Sequence, residues 1–127
     1  MLLVKTKIQT SPIAGIGLYA DEFIPKDTVV WKLMPGFDTI HTEDEIKQLS
    51  PASLQQFMNY CYHDKFSKKY VLCFDDARFF NHSDNPNTLN VGDDTGITIA
   101  SRDIQIGEEL TTDYYEYEAD PKKEKGV

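Results

Sequence analysis

At 127 residues with a net charge of −8, the chain has room for one domain with a buried core and none for two ordinary domains. A hydrophobic fraction of 40% against 27% charged residues excludes a disordered polyelectrolyte. The acidic balance excludes the Lys/Arg clusters that hold phosphate backbones, so no nucleic-acid partner is expected, whereas a basic partner such as a lysine-rich peptide suits it. No run of about 18 apolar residues occurs, which excludes a spanning helix, so no membrane association is expected. The first residues lack the long apolar stretch of a secretory signal. Cys61 and Cys73 are too few for a disulfide framework or a four-cysteine zinc site, and fit a reducing compartment, cytoplasm or nucleus.

Along the chain, residues 4–10 alternate as a strand, with Val4, Thr6 and Ile8 on one side. A loop, Ser11-Pro12-Ile13-Ala14-Gly15-Ile16-Gly17, leads into a short apolar strand at residues 18–20. After a turn at Pro25-Lys26-Asp27, residues 28–33 are β-branched and aromatic, a buried strand closed by Pro35-Gly36. Thr42-Glu43-Asp44-Glu45 is a capping box that opens a short helix with Ile46 and Leu49 on its apolar side. Ser50-Pro51 starts a second helix, serine as N-cap and proline in the first turn. Leu54, Phe57, Met58 and Cys61 then recur at i, i+3, i+4 and i+7, a core-facing stripe. Strands follow at 70–74, 88–91, 97–101 and 109–113, with Gly92-Asp93-Asp94-Thr95-Gly96 as a hairpin loop. Many short strands with two small helices between them predict a β-rich α+β domain. It spans 1–127, with a core at 1–118 and a frayed, locally basic tail at 119–127.

Three segments carry the chemistry. Gly15-Ile16-Gly17 lacks the third glycine and βαβ setting of a dinucleotide fingerprint, but glycines there let a ligand approach the backbone. Arg78-Phe79-Phe80-Asn81-His82-Ser83-Asp84-Asn85-Pro86-Asn87 sets small polar groups directly after two phenylalanines. Gly107-Glu108-Glu109-Leu110-Thr111-Thr112-Asp113-Tyr114 ends on a tyrosine. Taken singly, His82 is a satisfied core histidine and Tyr114 a packed aromatic. His41, His63 and His82 have no ligand spacing for zinc or iron, and no metal is expected.

In this order and spacing the three segments resemble the SET domain of protein lysine methyltransferases. The resemblance implies a β-clip-like fold of short twisted sheets, a small helical insert at 38–69, and a knot-like tucking of the Asn81-His82 and Tyr114 segments. It implies a cofactor, S-adenosylmethionine, held by main-chain groups at Gly15, Ile16, Gly17 and Leu18, by Asn81 and His82, and by Tyr60 and Tyr117. It implies a lysine channel lined by Tyr62, Thr112 and Tyr114, with Tyr114 placing the methyl and the amine. The implied reaction is methyl transfer to a lysine side chain of a protein, a histone-like chain being one candidate. Such an in-line displacement needs alignment and a neutral amine but no metal; a nearby sulfonium and apolar walls lower the lysine pKa, so no dedicated base is required. Arg78 would anchor its own segment.

The chain departs from the family pattern in having no cysteine-rich closing segment after Tyr114, so Tyr115, Tyr117 or a partner subunit must wall the channel, and a homodimer is one expectation. Thr112 stands where a phenylalanine or tyrosine often limits methyl number. Two other classes compete with the enzyme: a SET-like peptide-binding or assembly module, and a metal-dependent hydrolase built on the three histidines.

Overall fold

Ten short strands and three helices are arranged as four small sheets in the computed structural model, which describes residues 1–127. β1 (Thr6–Thr10) and β2 (Ile16–Ala20) form an antiparallel hairpin around the glycine loop. β3 (Val29–Lys32) pairs with β9 (Ile97–Ala100), which also pairs with β8 (Thr88–Asn90). β4 (Thr39–His41), β6 (Tyr70–Leu72) and β5 (Tyr62–His63) make the third sheet, in that order. β7 (Asn81–His82) and β10 (Thr111–Thr112) are a parallel two-residue pair. The Asn81-His82 and Glu109–Tyr114 segments therefore meet side by side, as the expected β-clip-like SET fold requires.

Packing explains which expectations hold. α1 (Glu43–Ile46) carries both halves of the Thr42/Glu45 capping box, and α2 (Pro51–Tyr60) is capped by Ser50 with proline in its first turn. The Leu54, Phe57, Met58 stripe packs on a small cluster of Ile46, Cys61 and Tyr70. The main core is Leu18, Ala20, Ile24, Val30, Trp31, Cys73, Ala77, Ala100, Ile104 and Leu110. Val30 and Trp31 are adjacent yet both buried because the β3–β9 register shifts between Val29 and Trp31, a bulge that turns neighbouring side chains the same way. The alternation of residues 4–10 does not make a buried face: Ile8 is 42% exposed, since only β2 of the hairpin faces the core.

The predicted frayed tail is ordered instead. α3 (Pro121–Lys125) is N-capped by Asp120 and C-capped by Gly126 in the left-handed conformation, with Pro121 buried. Lys125 Nζ donates to the carbonyls of Met58 (2.7 Å) and Cys61 (2.6 Å), and Glu124 Oε1 meets His63 Nδ1 at 2.8 Å. A cation on carbonyls at the C-terminal end of α2 is the placement the helix dipole favours.

Candidate active site

Two-residue strands cannot hold a site by themselves, and side chains complete the β7–β10 pairing. Asn87, 3% exposed, donates Nδ2–H to the Glu109 carbonyl (2.8 Å) and accepts the Thr111 amide on Oδ1 (2.9 Å). Thr88 Oγ1 donates to the Thr111 carbonyl (2.7 Å), and Ser83 N to the Thr112 carbonyl (3.0 Å). Asn87 carries no role in the sequence reading; its place at the end of the Arg78–Asn87 segment is the available signal.

Asn81 fastens the glycine loop to this pair. Its Nδ2 donates to the carbonyls of Ala14 (3.1 Å) and Ile16 (3.3 Å) and to Glu109 Oε1 (2.9 Å). Ser11 Oγ reaches both Glu109 oxygens at 2.8 and 2.9 Å. A Cβ at Gly17 would lie 2.2 Å from Glu109 Oε1, so the carboxylate fills the space that any other side chain at 17 would need. Glu109 is thus a structural centre of the loop that sequence reasoning passed over. Gly15, at φ +47°, takes the left-handed conformation that favours glycine. Leu18 is fully buried and its carbonyl accepts the Leu110 amide (2.7 Å), so it serves the core and the junction with the Glu109–Tyr114 segment.

Two hollows adjoin. The first, about 270 Å³, is bordered by Gly15, Ile16, Asn59, Tyr60, Arg78 and Phe79. Tyr60 packs edge-on to Phe79 (5.8 Å between centroids), and the Arg78 guanidinium lies 5.5 Å from the Tyr60 ring centre while donating to the Cys73 carbonyl (2.9 Å). The second, about 280 Å³, is walled by Trp31, Leu33, Tyr62, Thr112, Tyr114 and Tyr117 among others. Tyr60 and Arg78 belong to both. Of the residues singled out from sequence, Tyr62, Thr112, Tyr114 and Tyr117 therefore gather at the second hollow, Gly15 and Ile16 at the first, and Tyr60 between them. Gly17, Leu18, Asn81 and His82 line neither and hold the walls from behind.

Tyr114 is oriented from two sides. Its hydroxyl donates to the Phe80 carbonyl (2.5 Å) and its amide to His82 Nδ1 (3.2 Å). Because Nδ1 accepts, the His82 proton resides on Nε2, which donates to Asp84 Oδ1 at 2.9 Å. Burial pushes the Tyr62, Tyr114 and Tyr117 hydroxyls above the usual tyrosine range, so all three are neutral phenols near pH 7. Burial likewise pushes the Cys61 and Cys73 thiols up to about 12, which leaves them without thiolate reactivity. Of the residues from which a closing wall was expected, Tyr117 lines the second hollow together with Glu118 and Lys125, and Tyr115 does not.

The three histidines do not converge. His41 faces Glu45, His63 faces Glu124 and His82 faces Asp84. No group of three or more His, Cys, Asp or Glu side chains is arranged to hold a metal ion.

Comparison with known proteins agrees with this geometry. The SET domain family model matches residues 15–115, from the glycine loop through Tyr114. No curated protein matches the chain. Among solved structures, it is similar to the crystal structure of a Plasmodium falciparum "putative histone methyltransferase", at TM-score 0.58 and 21% identity, over 89% of this chain and 95% of that one. That likeness is one of fold. With four-fifths of its length under the family model, this chain belongs to the SET domain family.

Proposed function

We propose that this chain transfers a methyl group from S-adenosylmethionine to the side-chain amine of a lysine in another protein. The observation that carries the proposal is the shared wall: a hollow beside the glycine loop and a tyrosine-lined one meet at Tyr60 and Arg78. A reaction between a bound cofactor and a long, thin side chain needs two such compartments in contact.

The first hollow fits the cofactor. Gly15 borders open space, since a Cβ built there meets nothing within 4 Å, and Tyr60 and Phe79 offer aromatic surface for a purine ring. When bound, the cofactor supplies an electrophilic methyl on a sulfonium. The chain's own residues would do the rest. Tyr62, Tyr114 and Tyr117 surround the aliphatic stem of a lysine and attract its partly methylated cation. Trp31 and Leu33 help exclude water, which weakens the ammonium form. The Phe80 carbonyl fixes the Tyr114 hydroxyl, leaving that oxygen's lone pairs to orient the amine or the methyl. The net negative charge favours lysine-rich partners, histone-like chains included.

The test is incubation of the purified chain with methyl-labelled S-adenosylmethionine and a lysine-rich peptide, followed by mass analysis. Label on lysine is the expected result. Peptide binding with no transferred label would make the chain a binding module instead.

A further inference from the structure

Glu118 stands in the cavity wall with no part in the chemistry just described. Its amide donates to the Tyr114 carbonyl (2.7 Å), and it forms an antiparallel bridge with Asp64. The residue is 3% exposed and lines the tyrosine-walled cavity. Oε2 accepts the His63 amide at 3.2 Å. Oε1 accepts no hydrogen bond, and it is not among the fully enclosed atoms without partners, which are Trp31 Nε1 and Glu124 Oε2. Glu118 lines the cavity, and Oε1 is its oxygen without a protein donor. A buried carboxylate with one hydrogen bond has lost solvation that the protein does not return, and such a group takes up a cation that can reach it.

Of its charged neighbours Lys125 opposes the effect of burial most strongly, yet no ion pair joins it to the carboxylate. From α3, Lys125 spends its ammonium on the Met58 and Cys61 carbonyls, and Glu124 faces His63 Nδ1. From the β5 side come His63 and Asp64, the latter accepting the Ser67 amide. Tyr62, Tyr114 and Tyr117 stand around the same cavity as neutral phenols. Glu118 is close enough to Tyr114 for its charge to rank next after burial in raising that hydroxyl's pKa.

We propose that Glu118 receives the substrate's lysine ammonium inside the channel and takes its proton before methyl transfer, a step that rests on the methyltransferase reading. The lysine enters as R–NH3⁺, and one N–H proton passes to Glu118 Oε1, leaving a carboxylic acid and a neutral amine. The amine lone pair forms the new N–C bond while the S–C bond of the sulfonium breaks, its electron pair staying on sulfur. The product is R–NH2⁺–CH3, and Glu118 returns its proton to water when the product leaves. Burial pushes the Glu118 carboxyl up to about 7, matched to accepting a proton near neutral pH.

The probe is n-butylammonium chloride, a lysine side chain without its backbone, added to the full chain carrying carboxyl-¹³C glutamate. The Glu118 carboxyl signal should titrate near pH 7 and move to a lower midpoint as butylammonium binds. Affinity should rise as pH passes 7. Glu118→Gln keeps an acceptor for the His63 amide; it should bind butylammonium roughly tenfold or more weakly, with S-adenosylmethionine affinity within about twofold. Glu118→Asp, which keeps the charge, should recover part of the loss. In single-turnover methylation of a lysine peptide, Glu118→Gln should be slower by roughly ten- to a hundredfold at pH 7 and approach wild type as pH rises toward 10, where solution removes the proton. A carboxyl signal unmoved by butylammonium, or a Glu118→Gln rate and pH profile equal to wild type, overturns the proposal. If the wild-type chain transfers no methyl while butylammonium still shifts the signal, the methyltransferase reading fails and the ammonium site stands.

Discussion

Tyr114 and Gly17 show how single atoms decide the site. The Tyr114 hydroxyl is anchored on the Phe80 carbonyl, so Tyr114→Phe removes a positioned oxygen while the ring keeps its contacts. Single-turnover rates should fall roughly ten- to a thousandfold, or about 1.4–4 kcal/mol of transition-state stabilisation. Cofactor affinity should stay within a few-fold, and the unpaired carbonyl should cost about 1 kcal/mol of stability. Equal rates would return Tyr114 to a packing role. At Gly17 the expected damage is steric. Alanine would set its methyl 2.2 Å from Glu109 Oε1, displacing the carboxylate that Asn81 and Ser11 hold. Gly17→Ala should therefore lose cofactor affinity although position 17 borders neither hollow; calorimetry showing wild-type affinity would remove Glu109 from the account. Asn81→Ala should resemble it, costing about 1–3 kcal/mol through the polar groups it leaves unpaired.

At the scale of elements, the C-terminal helix matters most for the cavity. α3 brings Lys125 into the wall and fastens it to the end of α2, so Lys125→Met keeps the aliphatic stem but strips both carbonyls of their donor. The expected outcome is faster amide exchange across residues 119–127 and a weaker KM for peptide, with little change in cofactor binding; exchange equal to wild type would show that Pro121 and Glu124 suffice to hold the helix. This helix was not legible in the sequence, where Pro121-Lys122-Lys123-Glu124-Lys125 reads as a charged end. Its order comes from long-range partners, Met58, Cys61 and His63, which no local pattern encodes. The starts of the insert's helices were legible to the residue because caps are local chemistry, Thr42 with Glu45 and Ser50 with Pro51. Their ends were not: Leu49 lies beyond α1 and is exposed, and Cys61 caps α2 from outside it. The β7–β10 pair lies between these extremes. Two residues on each strand carry no periodicity, and only the family resemblance joined the segments. The supporting bonds of Asn87 and Glu109 became visible through geometry alone.

The whole molecule carries a net charge of −8, and two expectations follow from its charge. A lysine-rich peptide should be drawn in by the overall field, so its kcat/KM should fall as salt rises from 0.05 to 0.5 M, on the order of severalfold, while a peptide with one lysine among neutral residues should respond less. Equal salt dependence for both would mean that the field plays no part in substrate capture. The second expectation concerns stability and turns on Glu118, whose carboxyl is raised by burial from the ordinary 4.5 to about 7. Between those values the folded chain holds a proton that the unfolded chain releases. Stability from this group is thus fully present below about 4.5 and is lost as pH rises through about 7, amounting to roughly 3 kcal/mol. Glu118→Gln cannot ionise, so the difference between variant and wild type isolates the group from every other titration. The variant should gain on wild type steadily from pH 4.5 to 7 and keep a constant advantage above that, as read by urea unfolding at several pH values. A difference independent of pH would mean that the Glu118 carboxyl titrates alike in the folded and unfolded chain, and the carboxylate would then be solvated rather than waiting for a cation.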